Sequence, residues 1–174
     1  MRKLKRMGAM LMALVLAFSL SVTAFAAVED TGFSDVAVDA WYAEAVEYVR
    51  DNGLMSGTSA ATFAPNDTMT RSMLATTLYR AAGSPSVSGS DAFTDTQEGA
   101  WYADAVLWAS QEGVISGYGN GLFGTNDPVS REQIATILWR YAGSPSADAG
   151  QDFADESEIA SYAVTAVDLS LIHI

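Results

Sequence analysis

The sequence predicts a mostly α-helical protein built from tandem helix–loop–helix repeats. Residues 33–92 align without a gap on residues 93–152, with 24 identical residues in 60 positions. Within each copy, apolar residues recur at helical spacing on both sides of a loop that is rich in turn-forming residues. A two-helix unit cannot cover its own apolar faces, so we expect neighbouring copies to pack on each other.

The segment before the repeats has the composition of a secretory signal peptide. An apolar run over residues 7–22 ends in Ala24-Phe25-Ala26, a small-residue cleavage site. The alternative is a retained membrane anchor, because the apolar run is near the lower limit for crossing a bilayer. We expect cleavage after residue 26, export of the protein, and a short linker over residues 27–32. The run follows four basic residues: Arg2, Lys3, Lys5 and Arg6.

The charge balance excludes several classes of partner. The full chain has a formal net charge of −12, and removal of residues 1–26 leaves five arginines against all 21 acidic residues, a charge near −16. Such a surface repels nucleic acid and anionic lipid, so an anionic ligand has to be captured at a local site. The chain has no cysteine, which excludes disulfides and thiolate metal sites. No EF-hand pattern is present, and neither a metal nor a cofactor is predicted.

The first helix of each repeat is predicted from apolar spacing. The expected buried face is Trp41, Ala45 and Tyr48 in repeat 1, with Val46 and Val49 beside it, and Trp101, Ala105 and Trp108 in repeat 2. Gly53 and Gly113 are the expected left-handed C-terminal caps. Each leading tryptophan has a second interpretation, because it could stack on a sugar ring. The aspartates Asp35 and Asp95 are expected to cap this helix or its entry turn.

The second helix of each repeat follows a loop with one central aromatic residue, Phe63 or Phe123, which is predicted to fill the helical core. Thr70 and Ser130 are favourable N-caps, and Ser130-x-x-Gln133 predicts a capping box. Gly-Ser-Pro ends the helix in both repeats. The repeats are therefore placed at 33–85 and 93–145, with linkers at 86–92 and 146–152. The expected buried face is Leu74, Thr77, Leu78 and Ala81, or Ile134, Ile137, Leu138 and Tyr141.

Four of the five arginines beyond residue 26 form two repeat-related pairs. Arg80 and Arg140 lie in the last turn of the second helix, where the helix dipole favours a cation. Arg71 and Arg131 lie in the first turn, where the dipole disfavours one. One interpretation is a carboxylate site, formed by the guanidinium, the N-cap hydroxyl and the free helix N–H groups. The other is an internal ion pair with Asp67, Asp127 or an acidic residue of the next repeat.

No catalytic centre is predicted. The lone histidine, His173, lies in the C-terminal tail, and no nucleophile–base pair is recognisable. The acidic residues Asp152, Asp155 and Glu156 are interpreted as a solvated face.

In the first copy the motifs F-S-D-V, W-Y-A-x-A-V, G-L-M-S-G, F-x-P-N-D and T-R-S-M follow one another. The second copy has related motifs in the same order and ends with S-R-E-Q-I-A-T-I-L-W-R. This order resembles the S-layer homology repeat. The resemblance covers nearly all of residues 33–152 and the opening of a third copy at Phe153. It implies a non-enzymatic anchor whose three repeats form a pseudo-threefold helical bundle, with grooves that hold a cell-wall polysaccharide bearing a pyruvate ketal.

The resemblance also implies a set of binding residues. The arginine of the family's T-R-A-E motif meets the acidic group of the polymer and corresponds to Arg71 and Arg131, preceded by Thr70 and Ser130. The motif's glutamate is replaced by Met73 and Gln133. The family's groove positions correspond to Trp41, Trp101, Gly57 and Gly117.

The third copy, 153–174, stops within its first helix, and its last residues, L-S-L-I-H-I, break the repeat pattern. We expect a truncated or misread C-terminus and at most the grooves that the first two repeats can form. The expected partner is a secondary cell-wall polymer or peptidoglycan-linked polysaccharide at the cell surface. Two alternatives are the anchoring part of a wall-active glycan hydrolase or amidase, and a protein–protein scaffold at the surface.

Overall fold

The computed structural model describes residues 30–146 and 153–172. In that part of the chain the secondary structure is helical, and the one β pairing is an isolated antiparallel bridge between Thr70 and Pro128. The predicted mostly α fold is confirmed. The signal peptide, residues 147–152 and His173 lie outside the described residues. The described ranges contain five α-helices: α1 (Ala43–Asp51), α2 (Arg71–Ala81), α3 (Ala103–Gln111), α4 (Arg131–Tyr141) and α5 (Val164–Ile172), with a 3-10 turn at Glu156–Glu158.

The main core lies between repeats, as the two-helix unit predicts. Helix α2 of repeat 1 packs on α3 of repeat 2, and α4 of repeat 2 packs on α5 of the third copy. In the larger cluster, Leu74 and Leu78 of α2 meet Val106 and Trp108 of α3. The side chain of Phe123 is fully buried in the same cluster, which confirms that it fills the core.

Repeat 1 has a smaller cluster of its own, formed by Phe33, Val36, Ala43 and Val46. The ring of Phe63 packs at its edge, 5.4 Å from the ring centre of Phe33. No described helix packs on α1 as extensively as α2 packs on α3. The side chain of Phe63 is consequently only half-buried, whereas its counterpart in repeat 2 is enclosed.

The predicted face of the first helix is wrong in repeat 1. Helix α1 begins at Ala43, after turns in which Ala40 and Ala43 donate to the carbonyls three residues before them. Trp41 precedes the helix and is 94% exposed, and Ala45 and Tyr48 are also exposed. Ala43 faces the core instead, together with Val46, which was expected beside the predicted face.

In repeat 2 the same prediction holds for two of its three residues. Ala105 and Trp108 are buried, whereas Trp101 precedes α3 and is 62% exposed. The predicted C-caps are confirmed, because Gly53 and Gly113 have φ of 67° and 69°.

The caps of the second helices agree with the prediction. The Thr70 hydroxyl accepts from the Met73 N–H at 3.3 Å. Ser130 and Gln133 form both hydrogen bonds of the capping box.

The buried face of the second helices is only partly as predicted. Leu74, Leu78 and Ile137 are buried, but Ala81 is exposed, as are Leu138 (46%) and Tyr141 (38%). Leu74, Leu78 and Ile137 all belong to the larger cluster.

The aspartates expected to cap the first helix hold the long loop instead. The Asp95 carboxylate accepts from the backbone N–H groups of Phe123, Gly124 and Thr125 at 2.7 to 3.1 Å. Asp35 accepts in the same way from two loop N–H groups of repeat 1. Partial burial raises the pKa of Asp95, but the backbone donors together outweigh it and leave the pKa below its usual value. The aspartate therefore fixes the loop that carries the core phenylalanine.

Candidate functional site

The guanidinium of Arg71 is held by the backbone of repeat 2. Its Nε donates to the carbonyl oxygen of Phe123 at 2.9 Å and its Nη2 donates to that of Ser116 at 2.7 Å. Its Cζ lies 4.6 Å from the ring centre of Tyr118 and 5.2 Å from that of Phe123. The residue as a whole is only 4% exposed. These contacts offset the unfavourable helix dipole at the start of α2.

The alternative of an internal ion pair is wrong for Arg71 and Arg131. Among the described residues the one salt bridge joins Arg50 to Asp51. The acceptors for Arg71 are carbonyl oxygens of the next repeat rather than a carboxylate. Arg131 is exposed and has no side-chain hydrogen bond within the described ranges.

One edge of the Arg71 guanidinium remains available. Its Nη1 has no hydrogen-bond partner among the described residues, although every fully buried side-chain nitrogen and oxygen there has one. The Nη1 atom is therefore accessible. Arg71 lines a cavity of about 220 Å³, which we call groove A. Groove A is lined by Arg71, Ile115, Ser116, Gly117, Tyr118, Gln133, Thr136, Ile137, Arg140 and Tyr162.

Two tyrosines from different repeats border groove A. Burial raises the pKa of Tyr118, against the opposing effect of the Arg71 charge. Burial also raises the pKa of Tyr162, and its hydroxyl donates to Glu132 Oε1 at 3.1 Å. Both phenols therefore stay protonated at neutral pH. The groove presents neutral hydroxyls and aromatic rings next to the cations Arg71 and Arg140.

A larger cavity, groove B, occupies the equivalent place in repeat 1 and measures about 590 Å³. Several of its residues are the counterparts of groove A residues at a spacing of sixty. No described arginine fills groove B in the way that Arg71 fills groove A. Groove B is lined by Leu54, Met55, Ser56, Gly57, Thr58, Phe63, Ala64, Pro65, Asp67, Thr68, Met69, Met73, Thr76, Thr77, Arg80 and Trp101.

Gly57 and Gly117 permit a close approach of two loop segments in each groove. A Cβ at Gly117 would collide with the ring of Phe93 and the carbonyl oxygen of Leu122, and Gly57 has the same constraint in repeat 1. Gly57 also has a φ of 78°. Glycine is required at these positions by packing as well as by the shape of the groove.

The structure distributes the predicted binding residues unevenly. Arg71 and Gly117 line groove A, while Gly57 and Trp101 line groove B. The remaining four line neither groove: Thr70 and Ser130 cap their helices, and Arg131 and Trp41 are exposed elsewhere.

Sequence reasoning missed three residues of groove A. Arg140 was explained by the helix dipole alone, although it lines groove A at the C-terminal end of α4. Tyr118 had no repeat-related signal, because Thr58 takes its place in repeat 1. Tyr162 is in step with Tyr42 and Tyr102 at a spacing of sixty, but nothing in the sequence indicated that it borders a groove. Their proximity results from packing between repeats.

A family model for the S-layer homology domain matches residues 32–72 and 92–135. The chain is an S-layer homology domain protein. Both matches end near the first turn of a second helix, so each contains the loop, the N-cap and the arginine described above.

Curated relatives of this S-layer homology protein include surface proteins and enzymes. A surface-layer 125 kDa protein of Lysinibacillus sphaericus is 34% identical over 115 residues, which is 64% of this chain and 10% of that protein. A cell surface protein of Thermoanaerobacter kivui is 29% identical over 99% of this chain and 22% of its own length. An endoglucanase of Bacillus sp. (strain KSM-635) is 29% identical over 78% of this chain and 15% of its own length.

This S-layer homology protein thus matches less than a quarter of each of those relatives. The S-layer homology domain is a binding and anchoring domain rather than a catalytic one, and the chain is a cell-surface protein. Within the described residues, no helix is long and apolar enough to cross a membrane. No cluster of potential metal ligands was found among them.

Proposed function

We propose that this protein attaches non-covalently to the bacterial cell envelope by binding a pyruvylated secondary cell-wall polysaccharide in groove A. The observation that carries the proposal is the presence of two arginines, Arg71 and Arg140, in one accessible cavity of a chain whose net charge is −12. Cations concentrated at one place on an acidic protein favour an anionic ligand at that place.

The chemistry of the groove suits a carboxylate attached to a sugar. The accessible Nη1 of Arg71 and the guanidinium of Arg140 supply charged donors, which form shorter and stronger hydrogen bonds than neutral groups. Tyr118 and Tyr162 supply hydroxyl groups and ring faces next to them. The phenol oxygens can accept hydrogen bonds from sugar hydroxyls, and the ring faces can pack on the C–H face of a pyranose ring.

The other predicted binding residues have a less direct part in this proposal. The hydroxyls of Thr70 and Ser130 accept hydrogen bonds from their own helices. Gly117 shapes the wall of groove A, and Gly57 shapes that of groove B. Contact of Arg131, Trp41 or Trp101 with the polymer stays a prediction.

The test compares two repeat-related arginines, both near the C-terminal ends of their helices. Arg140→Ala removes a cation from groove A, and the matched control Arg80→Ala removes its counterpart from groove B. In isothermal titration with purified pyruvylated wall polymer, we expect Arg140→Ala to weaken binding roughly tenfold or more. Arg80→Ala should change it much less.

Chemical removal of the pyruvate ketal from the polymer should weaken binding by the wild-type protein by a similar factor. It should have little further effect on binding by Arg140→Ala. Wild-type affinity in Arg140→Ala, with its far-ultraviolet circular dichroism unchanged, would contradict binding in groove A. Equal loss in both variants would indicate a diffuse charge effect.

A second candidate function rests on the relatives named as an endoglucanase and an amylopullulanase. In this case the chain is the anchoring portion of a larger wall-active enzyme. The binding experiment gives the same result for both candidates, because the anchoring step is common to them. The reading frame in the gene beyond codon 174 distinguishes them by the presence or absence of a catalytic domain.

A further inference from the structure

The contact between repeats 1 and 2 uses donors at the start of one helix and carbonyl acceptors in the next repeat. The Arg71 N–H donates to the Asp127 carbonyl at 3.0 Å, and the Ser72 N–H donates to the Thr125 carbonyl at 3.3 Å. The Arg71 side chain adds its two bonds to carbonyl oxygens beside them. This contact satisfies N–H groups that a helix start leaves without an internal partner.

Repeat 1 carries the equivalent acceptors without donors. At a spacing of sixty, the acceptors of repeat 2 correspond to the carbonyls of Ser56, Phe63, Pro65 and Asp67. None of these four carbonyl oxygens has a hydrogen-bond partner among the described residues. All four residues line groove B. We call the four carbonyls the open acceptor site.

Helix α4 carries the equivalent donors without acceptors. Arg131 corresponds to Arg71 and is exposed, with no side-chain hydrogen bond among the described residues. Within the described part of the chain, the backbone N–H groups of Arg131 and Glu132 also lack the partners that their counterparts on α2 have in repeat 2. Among the described residues, repeat 2 therefore has donors without partners at the start of α4, and repeat 1 has acceptors without partners in its loop.

We propose that two molecules of this protein associate head to tail, with the start of α4 in one molecule docked on the open acceptor site of the other. Arg131 then donates to the carbonyls of Ser56 and Phe63, as Arg71 does within one chain. The two ends are different surfaces, so the contact is heterologous and can continue from molecule to molecule. The association does not depend on polysaccharide.

Helix α5 competes with this association. It packs on α4, and the Glu132 carboxylate accepts from the Ala160 N–H and the Tyr162 hydroxyl, both at 3.1 Å. In the contact between repeats 1 and 2, α3 is the helix that packs on α2, so the same docking would place α1 of the second molecule where α5 lies. The counterpart of Glu132 on α2 is Ser72, whose hydroxyl donates to a carbonyl of the next repeat. A tethered segment has a high effective concentration, so association requires a high protein concentration or a weakened α5 contact.

Engineered cysteines test the contact directly, because the natural chain has none. Within one chain, Thr70 of repeat 1 pairs with Pro128 of repeat 2. At a spacing of sixty, the equivalent pair between two molecules is Ser130 of one molecule and Thr68 of the other. Full-length Ser130→Cys is mixed with full-length Thr68→Cys, oxidised, and resolved on a non-reducing gel. The matched control replaces Thr68→Cys by Ser90→Cys, an exposed position in the linker. The double variant Thr70→Cys/Pro128→Cys should form its disulfide within one chain.

We expect the mixture with Thr68→Cys to form several-fold more heterodimer than the control. Adding Arg131→Ala to Ser130→Cys should lower that yield roughly tenfold. Adding Glu132→Ser, which removes the carboxylate that holds α5, should raise it. A yield no higher than the control overturns the inference and leaves groove B to another ligand, such as the wall polymer. An undiminished yield with Arg131→Ala overturns the role of that side chain.

Discussion

Replacement of Arg71 by alanine should destabilise the fold, whereas the same change at its repeat counterpart Arg131 should not. Arg71 makes two charge-assisted hydrogen bonds to carbonyl oxygens of Phe123 and Ser116, at 2.9 and 2.7 Å. Arg131 makes none within the described residues and is exposed. Both substitutions remove the same atoms at the same point of a helix, so the pair isolates the contact with the next repeat.

The expected magnitude follows from the two bonds. A hydrogen bond to a charged group contributes about 1.5 to 3 kcal/mol when it is protected from water. The Ser116 carbonyl is only partly buried, and water entering groove A can replace one donor, so we take the lower value for each bond. Arg71→Ala should then lower the free energy of unfolding by about 3 kcal/mol. For a chain of this size that corresponds to a fall of about 6 to 12 °C in Tm.

The difference in the free energy of unfolding between each variant and the natural protein is measured by urea unfolding, followed by circular dichroism and by the fluorescence of buried Trp108. Arg131→Ala should remain within about 0.5 kcal/mol of the natural protein. If Arg71→Ala proved equally stable, the carbonyl contacts would contribute nothing net and the structural explanation for this arginine would be refuted. Arg71→Ala is expected to be less stable, so a loss of polymer binding could result from unfolding of the variant. The binding test uses Arg140 for that reason.

Three further predictions concern the loop, the cap and the glycine. Because the pKa of Asp95 is lowered in the folded state, its carboxylate stabilises the fold above the unfolded value of 3.8, and this stabilisation is lost as the pH falls below that value. Asp95→Asn should therefore be less stable at pH 7, and its Tm should fall less steeply at acid pH than that of the natural protein. An unchanged acid limb of the Tm-against-pH curve would contradict this. Ser130→Ala removes the capping box of α4 and should cost about 1 kcal/mol in urea unfolding, while an effect below about 0.3 kcal/mol would show that the cap is dispensable. Gly117→Ala places a methyl group against the ring of Phe93 and should cost about 1 to 3 kcal/mol in urea unfolding. Gly117 is not among the glycines with a positive φ, so a loss below about 0.5 kcal/mol would show that the collision is relieved by a small shift of the ring.

Local signals in the sequence predicted the elements but not all of their buried faces. The second helices begin where Thr70 and Ser130 predict, because an N-cap hydroxyl bonds to N–H groups only three residues away. The fully buried Phe123 was predicted from its position in a turn-rich loop. The leading tryptophans were assigned to the core by spacing alone, and Trp41 is 94% exposed because α1 starts two residues after it.

The sequence by itself determined the repeat, the helices, their caps and the family, since all of these depend on residues close together in the chain. Only the tertiary structure decided the roles of the two first-turn arginines, which no local signal distinguishes. Arg71 is buried because the loop of the next repeat offers carbonyl oxygens to its guanidinium, and Arg131 is exposed because no such loop lies against it in the described structure. The physical reason is that a helix start supplies donors, and whether they are satisfied depends on the neighbouring repeat.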